Sequence, residues 1–194
     1  MRAVVADAFV AEPVVAGLVD ALRASPDWID GRSLVADAGD GPVAHILFTR
    51  ALLDAPQRLV PVLTLGPVGV ASAYQRQGIG SALVRYGLEL VRQRPEPLVF
   101  LEGDPAYYCR FGFEPGGHHG FRRPSLRIPE PGFQVVRLPA GATAVNDGLL
   151  RFDAAGATQP LGGAVTGFAK SYRKERPEAL VKAVDFGPGV QHAA

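Results

Sequence analysis

The sequence is poor in cysteine, with Cys109 alone among 194 residues. One cysteine excludes a disulfide within the chain and agrees with a reducing compartment, so we predict a cytoplasmic protein. Long apolar runs are lacking as well. Asp7 and Glu12 interrupt the first apolar stretch, and no run approaches the roughly 18 residues that a membrane-spanning helix needs. We therefore expect no signal peptide and no membrane partner.

An excess of one charge sign is also lacking. The 20 Lys and Arg residues balance 19 Asp and Glu residues to a net charge of +1, which gives no electrostatic reason to expect a nucleic-acid partner. Apolar residues make up 47% of the chain, as in globular proteins. The length suits one domain with an appendage. We place the domain at residues 1–138 and a partly disordered extension of unknown role at residues 139–194.

The spacing of apolar residues predicts a mixed fold. Apolar residues from Val14 to Leu22 recur at helical spacing, which predicts a helix over residues 13–24, with an extension back to Val4 that breaks at Pro13. A longer helix begins near Ile79 and ends before Pro95. Strand-like stretches occur at residues 33–38, 43–50, 57–70, 98–102 and 133–138. We predict an α/β (α+β) fold, in which a mixed, mostly antiparallel twisted sheet carries helices on both faces.

A glycine loop between a predicted strand and the longer helix is the most informative stretch. It reads Gln75-Arg76-Gln77-Gly78-Ile79-Gly80-Ser81. A strand, a glycine loop and a helix N-terminus direct free backbone N–H groups and a positive dipole end at one point, where an anion such as phosphate binds. Gly78 and Gly80 would let phosphate oxygens approach the backbone closely. The loop therefore predicts a phosphate-binding site.

Two common nucleotide-binding motifs do not match this loop. A dinucleotide-binding motif needs a third glycine at the position of Leu83, and a P-loop needs a lysine between Gly80 and Ser81. The pattern that remains, Gln-x-x-Gly-x-Gly, resembles the acetyl-CoA pyrophosphate loop of the GNAT superfamily of N-acetyltransferases.

A second motif follows the strand at residues 98–102. Asp104-Pro105 is typical of the N-cap and first position of a short helix, which we expect to end at Gly112. Tyr108, Gly112 and Phe113 form the pattern Tyr-x-x-x-Gly-Phe, which resembles the second GNAT signature. The two signatures occur in the family's order, and the resemblance covers roughly residues 4 to 138.

The resemblance implies how acetyl-CoA, the expected co-substrate, is held. The glycine loop would bind the pyrophosphate. The strand before it would bind pantetheine through its backbone, with one N–H polarising the thioester carbonyl. The residues expected to contact the co-substrate are Val68, Gly69, Val70, Gln75, Arg76, Gln77, Gly78, Ile79, Gly80 and Ser81. A plain edge strand at residues 68–70 is the alternative.

The family's direct transfer to an amine implies an acid and, for a protonated amine, a base. Tyr108 matches the family's tyrosine that protonates the CoA sulfur, and a phenol of ordinary pKa, about 10, keeps its proton at neutral pH. Packing of Tyr108 in the core is the alternative. Glu102, at the end of its strand, is the best candidate for the base. Its alternative role is to cap the turn before Asp104.

Three other reactive positions match structural roles better. His45 lies on an apolar strand and is typical of a core histidine. Cys109 lacks a partner histidine at a suitable spacing, so we reject a thiol nucleophile. The pair His118-His119 lacks further ligands at the spacing of a metal site, so we predict no metal.

The resemblance implies an acetyl-CoA-dependent N-acetyltransferase that transfers an acetyl group directly to a primary amine of a small molecule or peptide. The alternative is a non-catalytic acyl-CoA-binding or sensor module on the same scaffold. A homodimer is left open. Three arginines, Arg122, Arg123 and Arg127, either select an acceptor that bears a carboxylate or are solvated surface charge. GNAT domains usually begin with a strand, whereas here only Met1-Arg2-Ala3 precedes helical sequence, so that strand is absent, the true start lies upstream, or another element covers the sheet edge.

Overall fold

The structure is a computed structural model that describes residues 1–55 and 58–140. Most of the extension expected at 139–194 therefore lies outside the described residues. The α-helices are α1 (Arg2–Ala8), α2 (Val14–Arg23), α3 (Ile79–Val91) and α4 (Pro105–Tyr108). The strands are β1 (Ser33–Asp37), β2 (Pro42–Ala55), β3 (Arg58–Val70), β4 (Leu98–Glu102), β5 (Glu114–Pro115) and β6 (Phe133–Arg137). None of the helices in this described part is long and apolar enough to cross a membrane.

The six strands form one sheet in the order β1-β2-β3-β4-β6-β5. The neighbours β3 and β4 run parallel, and the other neighbouring strands run antiparallel. The parallel pair is possible because α3 carries the chain back to the end of the sheet at which β3 began. The predicted mixed, mostly antiparallel sheet is confirmed.

The parallel strands β3 and β4 separate soon after they meet. Their pairing consists of Leu63 with Val99 and Thr64 with Phe100. Beyond Thr64, β3 keeps β2 on one side, whereas the end of β4 pairs with β6 on its far side. We call the resulting gap between residues 65–70 and 101–102 the fork. One edge of β3 is therefore unpaired within the sheet at the fork.

The helices cover both faces of the sheet. On one face α1 packs so closely on β3 that a methyl group at Gly69 would lie 3.1 Å from Cβ of Ala8. On the other face α3 approaches β2, where a methyl group at Gly87 would lie 2.6 Å from Cδ1 of Ile46. The main core lies between α3 and the sheet, and α1 and α2 share a smaller apolar cluster. Both close contacts fix the two helices relative to the fork.

Several element bounds differ from the sequence prediction. The helix predicted over residues 13–24 is confirmed as α2, but α1 is a separate helix before Pro13. Strand β2 continues to Ala55, because it pairs with β3 along most of its length. Helix α3 ends at Val91, and the two-residue strand β5 was not predicted. The described chain opens with α1, and β1 is its first strand.

Candidate active site

The glycine loop turns sharply into the start of α3. Gly78 is the N-cap residue, with a φ of 85°, in the left-handed region that favours glycine. Arg76 also has a positive φ of 60°, which is uncommon outside glycine. Within the described chain, the backbone N–H groups of residues 78–81 donate to no protein acceptor. They form a set of unsatisfied donors at the positive end of a 13-residue helix.

The two loop glycines are required for different reasons. A methyl group at Gly78 would meet no atom within 4 Å, so backbone conformation alone selects glycine there. A methyl group at Gly80 would lie 3.0 Å from Cγ2 of Val70 and 3.2 Å from the hydroxyl of Tyr107. That both glycines also let phosphate oxygens reach the backbone stays a prediction, and the structure adds a packing role for Gly80. That glycine lets α3 approach β3 and α4.

Two glutamines hold the loop in shape. The side-chain amide of Gln75 donates to the carbonyl of Val70 at 3.0 Å, and that of Gln77 donates to the carbonyl of Ala73 at 3.1 Å. Both side chains therefore bind the backbone of their own loop. The side chain of Arg76 is exposed at the same surface.

The backbone of β3 presents alternate residues to the fork. The N–H of Ala71 donates to the carbonyl of Val43 in β2 at 2.9 Å. Because neighbouring residues of a strand point their backbone groups to opposite sides, Gly69 also faces β2, whereas Val68 and Val70 face the fork. The carbonyl of Val70 already accepts the bond from Gln75. The groups directed at the fork are thus both backbone groups of Val68 and the N–H of Val70.

A cavity of about 450 Å³ opens beside the fork, on the face that α1 and α2 cover. Its lining is mostly apolar and includes Phe9, Val15, Leu18, Leu22, Leu65, Val68, Phe100, Leu101, Ile128 and Phe133. Its polar side chains are Glu12, Thr49, Thr64, Glu102, Asp104 and Tyr108. The cavity therefore meets the fork at Val68 and includes both residues that the sequence predicted as catalytic.

Tyr108 is held against the backbone of Gly103. A methyl group at Gly103 would overlap the Tyr108 ring, so only glycine allows this packing. The ring also contacts Phe113 edge-on, with 5.9 Å between ring centroids. Tyr108 thus packs against the core and also lines the cavity, so both interpretations drawn from the sequence describe part of its position.

The Tyr108 phenol is not the ordinary phenol that the sequence analysis assumed. Burial, with a smaller contribution from Tyr107, raises the pKa of Tyr108 well above its usual value. Desolvation disfavours the phenolate, so the hydroxyl stays protonated throughout the neutral range. It is correspondingly a weaker acid than a free phenol.

Glu102 projects from the end of β4 at the exposed part of the cavity. Partial burial, followed by the nearby carboxylate of Glu12, raises the pKa of Glu102 above its ordinary value. The turn after Glu102 is capped by Asp104, which accepts the N–H of Ala106 at 2.9 Å. Asp104 is thus the N-cap of α4, as predicted, and among the described residues no hydrogen bond joins the Glu102 carboxylate to the turn before Asp104.

Glu12 is the residue of the cavity that the sequence analysis missed. It lies in the connection between α1 and α2, and its acidic side chain reaches the cavity that also contains Glu102. The sequence around it is a helix break at Pro13. Nothing in that local pattern indicates a functional residue, because only the folding of α1 onto β3 brings Glu12 to Glu102.

The remaining candidates lie outside the cavity lining. His45 is fully buried, bonds Ser33 at 3.0 Å through Nε2, and has its pKa lowered to about 4, chiefly by burial. The thiol of Cys109 is exposed and donates to the carbonyl of Ala106 at 3.5 Å. His119 lies 2.6 Å from the carboxylate of Glu114.

The three arginines considered for acceptor selection also lie outside the cavity lining. Arg123 donates to the carbonyl of Ile128 at 2.7 Å and pairs with Glu130 at 3.3 Å, so it fixes its own loop. Arg122 and Arg127 are exposed. In the described chain no cluster of three or more His, Cys, Asp or Glu residues could hold a metal.

Comparison with known proteins matches residues 1–116 to the family model described as the acetyltransferase (GNAT) domain. The chain belongs to the GNAT family. This GNAT chain is 37% identical over 118 residues to YjhQ of Escherichia coli K12, an uncharacterized N-acetyltransferase. The match spans 60% of this chain and 62% of YjhQ, which is less than two-thirds of that relative. YhbS of the same strain, also an uncharacterized N-acetyltransferase, is 38% identical over 122 residues, which span 61% of this chain and 70% of YhbS.

Two solved structures resemble the GNAT fold of this chain. The Escherichia coli YhbS structure, in complex with CoA, matches with a TM-score of 0.64 and 30% identity, and covers 73% of this chain and 76% of its own. A GNAT-family acetyltransferase of Brucella melitensis, in complex with acetyl-CoA, matches with a TM-score of 0.55 and 31% identity, and covers 70% of this chain and 78% of its own. The predicted family and the α/β fold class are confirmed.

Proposed function

We propose that the protein is an acetyl-CoA-dependent N-acetyltransferase that transfers an acetyl group directly to a primary amine. The observation that carries this proposal is the arrangement around the fork. Free amides at the start of α3 lie at one end, unpaired backbone groups of Val68 and Val70 line the edge, and a cavity containing Tyr108 adjoins it. These three features match the diphosphate, pantetheine and thioester of one extended co-substrate.

Acetyl-CoA as co-substrate is supported by the structures of similar proteins, since YhbS is in complex with CoA and the Brucella protein with acetyl-CoA. In this chain, the amides of residues 78–81 would hold the diphosphate. The backbone groups of Val68 and the N–H of Val70 would bind pantetheine. Because Val68 also lines the cavity, its N–H is the proposed donor to the thioester carbonyl.

Acetyl-CoA supplies a thioester whose carbonyl carbon the amine attacks, so that a C–N bond forms and the C–S bond breaks. Tyr108 donates a hydrogen bond to the sulfur as negative charge develops there. A thiol has a pKa of about 8.5, below that of the buried phenol, so complete proton loss from Tyr108 to the thiolate is unfavourable. The amine nitrogen must lose one N–H proton as the amide forms, so the Tyr108 hydroxyl gives its proton to the sulfur and regains one that comes from the amine, which leaves CoA as the thiol and Tyr108 unchanged.

Glu102 is the proposed base for the ammonium form of the acceptor. A carboxylate at the end of β4 faces the cavity and has a raised pKa, which makes it a better proton acceptor than an ordinary glutamate. It acts directly or through one water.

The proposed acceptor is a small molecule or a peptide. A cytoplasmic location and a homodimer stay predictions.

A binding module without turnover is the second candidate, because the base of this chain is inferred only from the position of Glu102 beside the cavity. The two functions differ in the release of CoA. We expect acetyl-CoA and a panel of primary amines to yield free thiol at a rate that depends on the amine. Binding of acetyl-CoA with no thiol released in the presence of any amine would establish the sensor instead.

A further inference from the structure

The cavity beside the fork has an unusual combination of lining groups. Most of its wall is apolar, whereas its carboxylates Glu12, Glu102 and Asp104 are the charged groups that contact it. Among the described residues, none of the side chains in its lining is Lys, Arg or His. A molecule that enters the cavity therefore meets apolar surface and negative charge.

Two of the three carboxylates lack a protein partner. Asp104 accepts the N–H of Ala106, and the acidic residues elsewhere in the described chain include several in ion pairs, such as Glu114, Glu130 and Asp20. Within the same described residues, the side-chain carboxylates of Glu12 and Glu102 have neither a hydrogen-bond partner nor a cationic partner. The Glu12 carboxylate lies close enough to raise the pKa of Glu102. Two like charges at one cavity, with no protein cation to balance them, attract an external cation.

The inner end of the cavity offers limited polarity. The hydroxyls of Thr49 and Thr64 lie 2.7 Å apart and bind each other, so only one hydroxyl proton of the pair is left for a ligand. Phe100 and Phe133 stack beside them on the same face of the sheet, with 5.3 Å between ring centroids. The body of a bound acceptor therefore contacts aromatic and aliphatic surface. A carboxylate on the acceptor would have no cation in the cavity to pair with, and would face Glu12 and Glu102.

We propose that the acceptor is a small primary amine with an apolar body and no carboxylate, and that Glu12 is the residue that selects against amino acids. This inference rests on the proposed function and names the substrate class of the same site. The ammonium group enters between Glu12 and Glu102, and the apolar body fills the cavity toward Phe100. Glu102 then takes the proton, while Glu12 keeps the local potential negative.

The test compares amines with the amino acids from which they differ only by the α-carboxylate. The probes are 2-phenylethylamine against phenylalanine and tyramine against tyrosine, each with saturating acetyl-CoA, and the readout is kcat/KM from thiol release. We expect the wild type to prefer the amine by on the order of 100-fold, because like charges brought together at a site are strongly unfavourable. Calorimetric binding of the same probes in the presence of CoA gives a reading that does not require turnover.

Variants at Glu12 provide the decisive comparison. Glu12→Gln should reduce the amine preference about tenfold, and Glu12→Arg should reduce it further by offering the carboxylate a partner. The matched control is Glu89→Gln on α3, an exposed carboxylate that pairs with Arg92 at 3.4 Å outside the cavity, and it should leave the preference unchanged. Circular dichroism and acetyl-CoA affinity are measured for each variant, so that loss of folding is recognised.

The outcomes of these measurements separate a failure of the acceptor proposal from a failure of the proposed function. Normal acetyl-CoA affinity with no preference between amine and amino acid, or a preference that Glu12→Gln leaves unchanged, would overturn this proposal alone. The same holds if acetyl-CoA binds and none of the four probes either reacts or binds. Failure of acetyl-CoA itself to bind would overturn the proposed function and, with it, the acceptor class.

Discussion

The hydroxyl of Tyr107 lies 3.3 Å from the hydroxyl of Ser81. This contact joins the two stretches that carry the GNAT resemblance, since Ser81 belongs to the glycine loop at the start of α3 and Tyr107 to the helix α4. Tyr107 and Tyr108 pack edge-on, with 4.9 Å between ring centroids. Tyr107, which contacts the glycine loop, and Tyr108, which lines the cavity, are therefore adjacent residues with different contacts.

Tyr108→Phe should lower kcat by about 100-fold and leave the acetyl-CoA affinity unchanged, because the hydroxyl acts on the sulfur only as the C–S bond breaks. Steady-state kinetics and calorimetry measure the two quantities. Tyr107→Phe is the matched control, since it removes a phenol from the same helix and should change acetyl-CoA affinity more than kcat. Equal losses of kcat in both variants would contradict the role given to Tyr108.

The fall of kcat/KM at acidic pH should reflect the protonation of Glu102. Glu102 must be ionised to accept a proton, so kcat/KM falls as the pH falls through its pKa, which lies above the ordinary value of 4.5. Asp104 and Tyr108 also face this part of the cavity, but burial raises the pKa of Glu102 most and the Glu12 carboxylate raises it further. Glu12→Gln should move this acidic limb of the pH profile to lower pH. A limb that stays in place with the same amine would show that the titrating group does not respond to the charge of Glu12.

Gly87→Ala should destabilise the protein by about 1–2 kcal/mol, although alanine favours a helix. The added methyl group would lie 2.6 Å from Ile46 and 2.7 Å from Phe48, both fully buried, so α3 must move away from β2. Gly17→Ala on α2 is the control, because its methyl group meets nothing within 4 Å and should stabilise by up to about 1 kcal/mol. Urea denaturation measures both, and a stabilised Gly87→Ala would show that α3 tolerates a wider separation.

Folding stability should fall between pH 6.5 and about pH 4 because of His45. Burial lowers the pKa of His45 from 6.5 to about 4, so in this window the unfolded chain binds a proton that the folded chain does not. The stabilisation, at most roughly 3 kcal/mol, is complete above pH 6.5 and is lost as the pH falls. Replacement His45→Gln keeps a partner for Ser33 and does not titrate, so its stability should depend less on pH. A parallel decline in both proteins would assign the pH dependence to other groups.

Local patterns predicted much of the fold. Apolar spacing indicated α2 and α3, and the strand-like stretches correspond to β1, β2, β3, β4 and β6. Gly112 ends the short helical segment in the left-handed conformation, with a φ of 84°, as a C-terminal glycine should. These features depend on residues close together in sequence, which is why a single sequence reveals them.

Features that depend on tertiary packing were not predictable. The resemblance implied that the strand before the loop offers its backbone to pantetheine, but only the pairing at Leu63 and Thr64 locates the fork. The close approach of Gly80 to Val70, the raised pKa of Tyr108 and the meeting of Glu12 with Glu102 all arise between distant segments. The negative charge of the cavity therefore depends on tertiary packing and could not be predicted from the sequence.

The measurement that tests the central claim most directly is an acetyl-CoA titration by calorimetry of wild type, Gly78→Glu and Gly31→Glu. Gly78 has a φ of 85° at the N-terminus of α3, and Gly31 has a φ of 70° in an exposed turn, so both variants carry left-handed strain. Only Gly78→Glu places a negative charge among the loop amides. We predict at least about a 100-fold loss of affinity for Gly78→Glu and nearly unchanged affinity for Gly31→Glu. Equal affinities in all three proteins would show that the co-substrate diphosphate binds elsewhere.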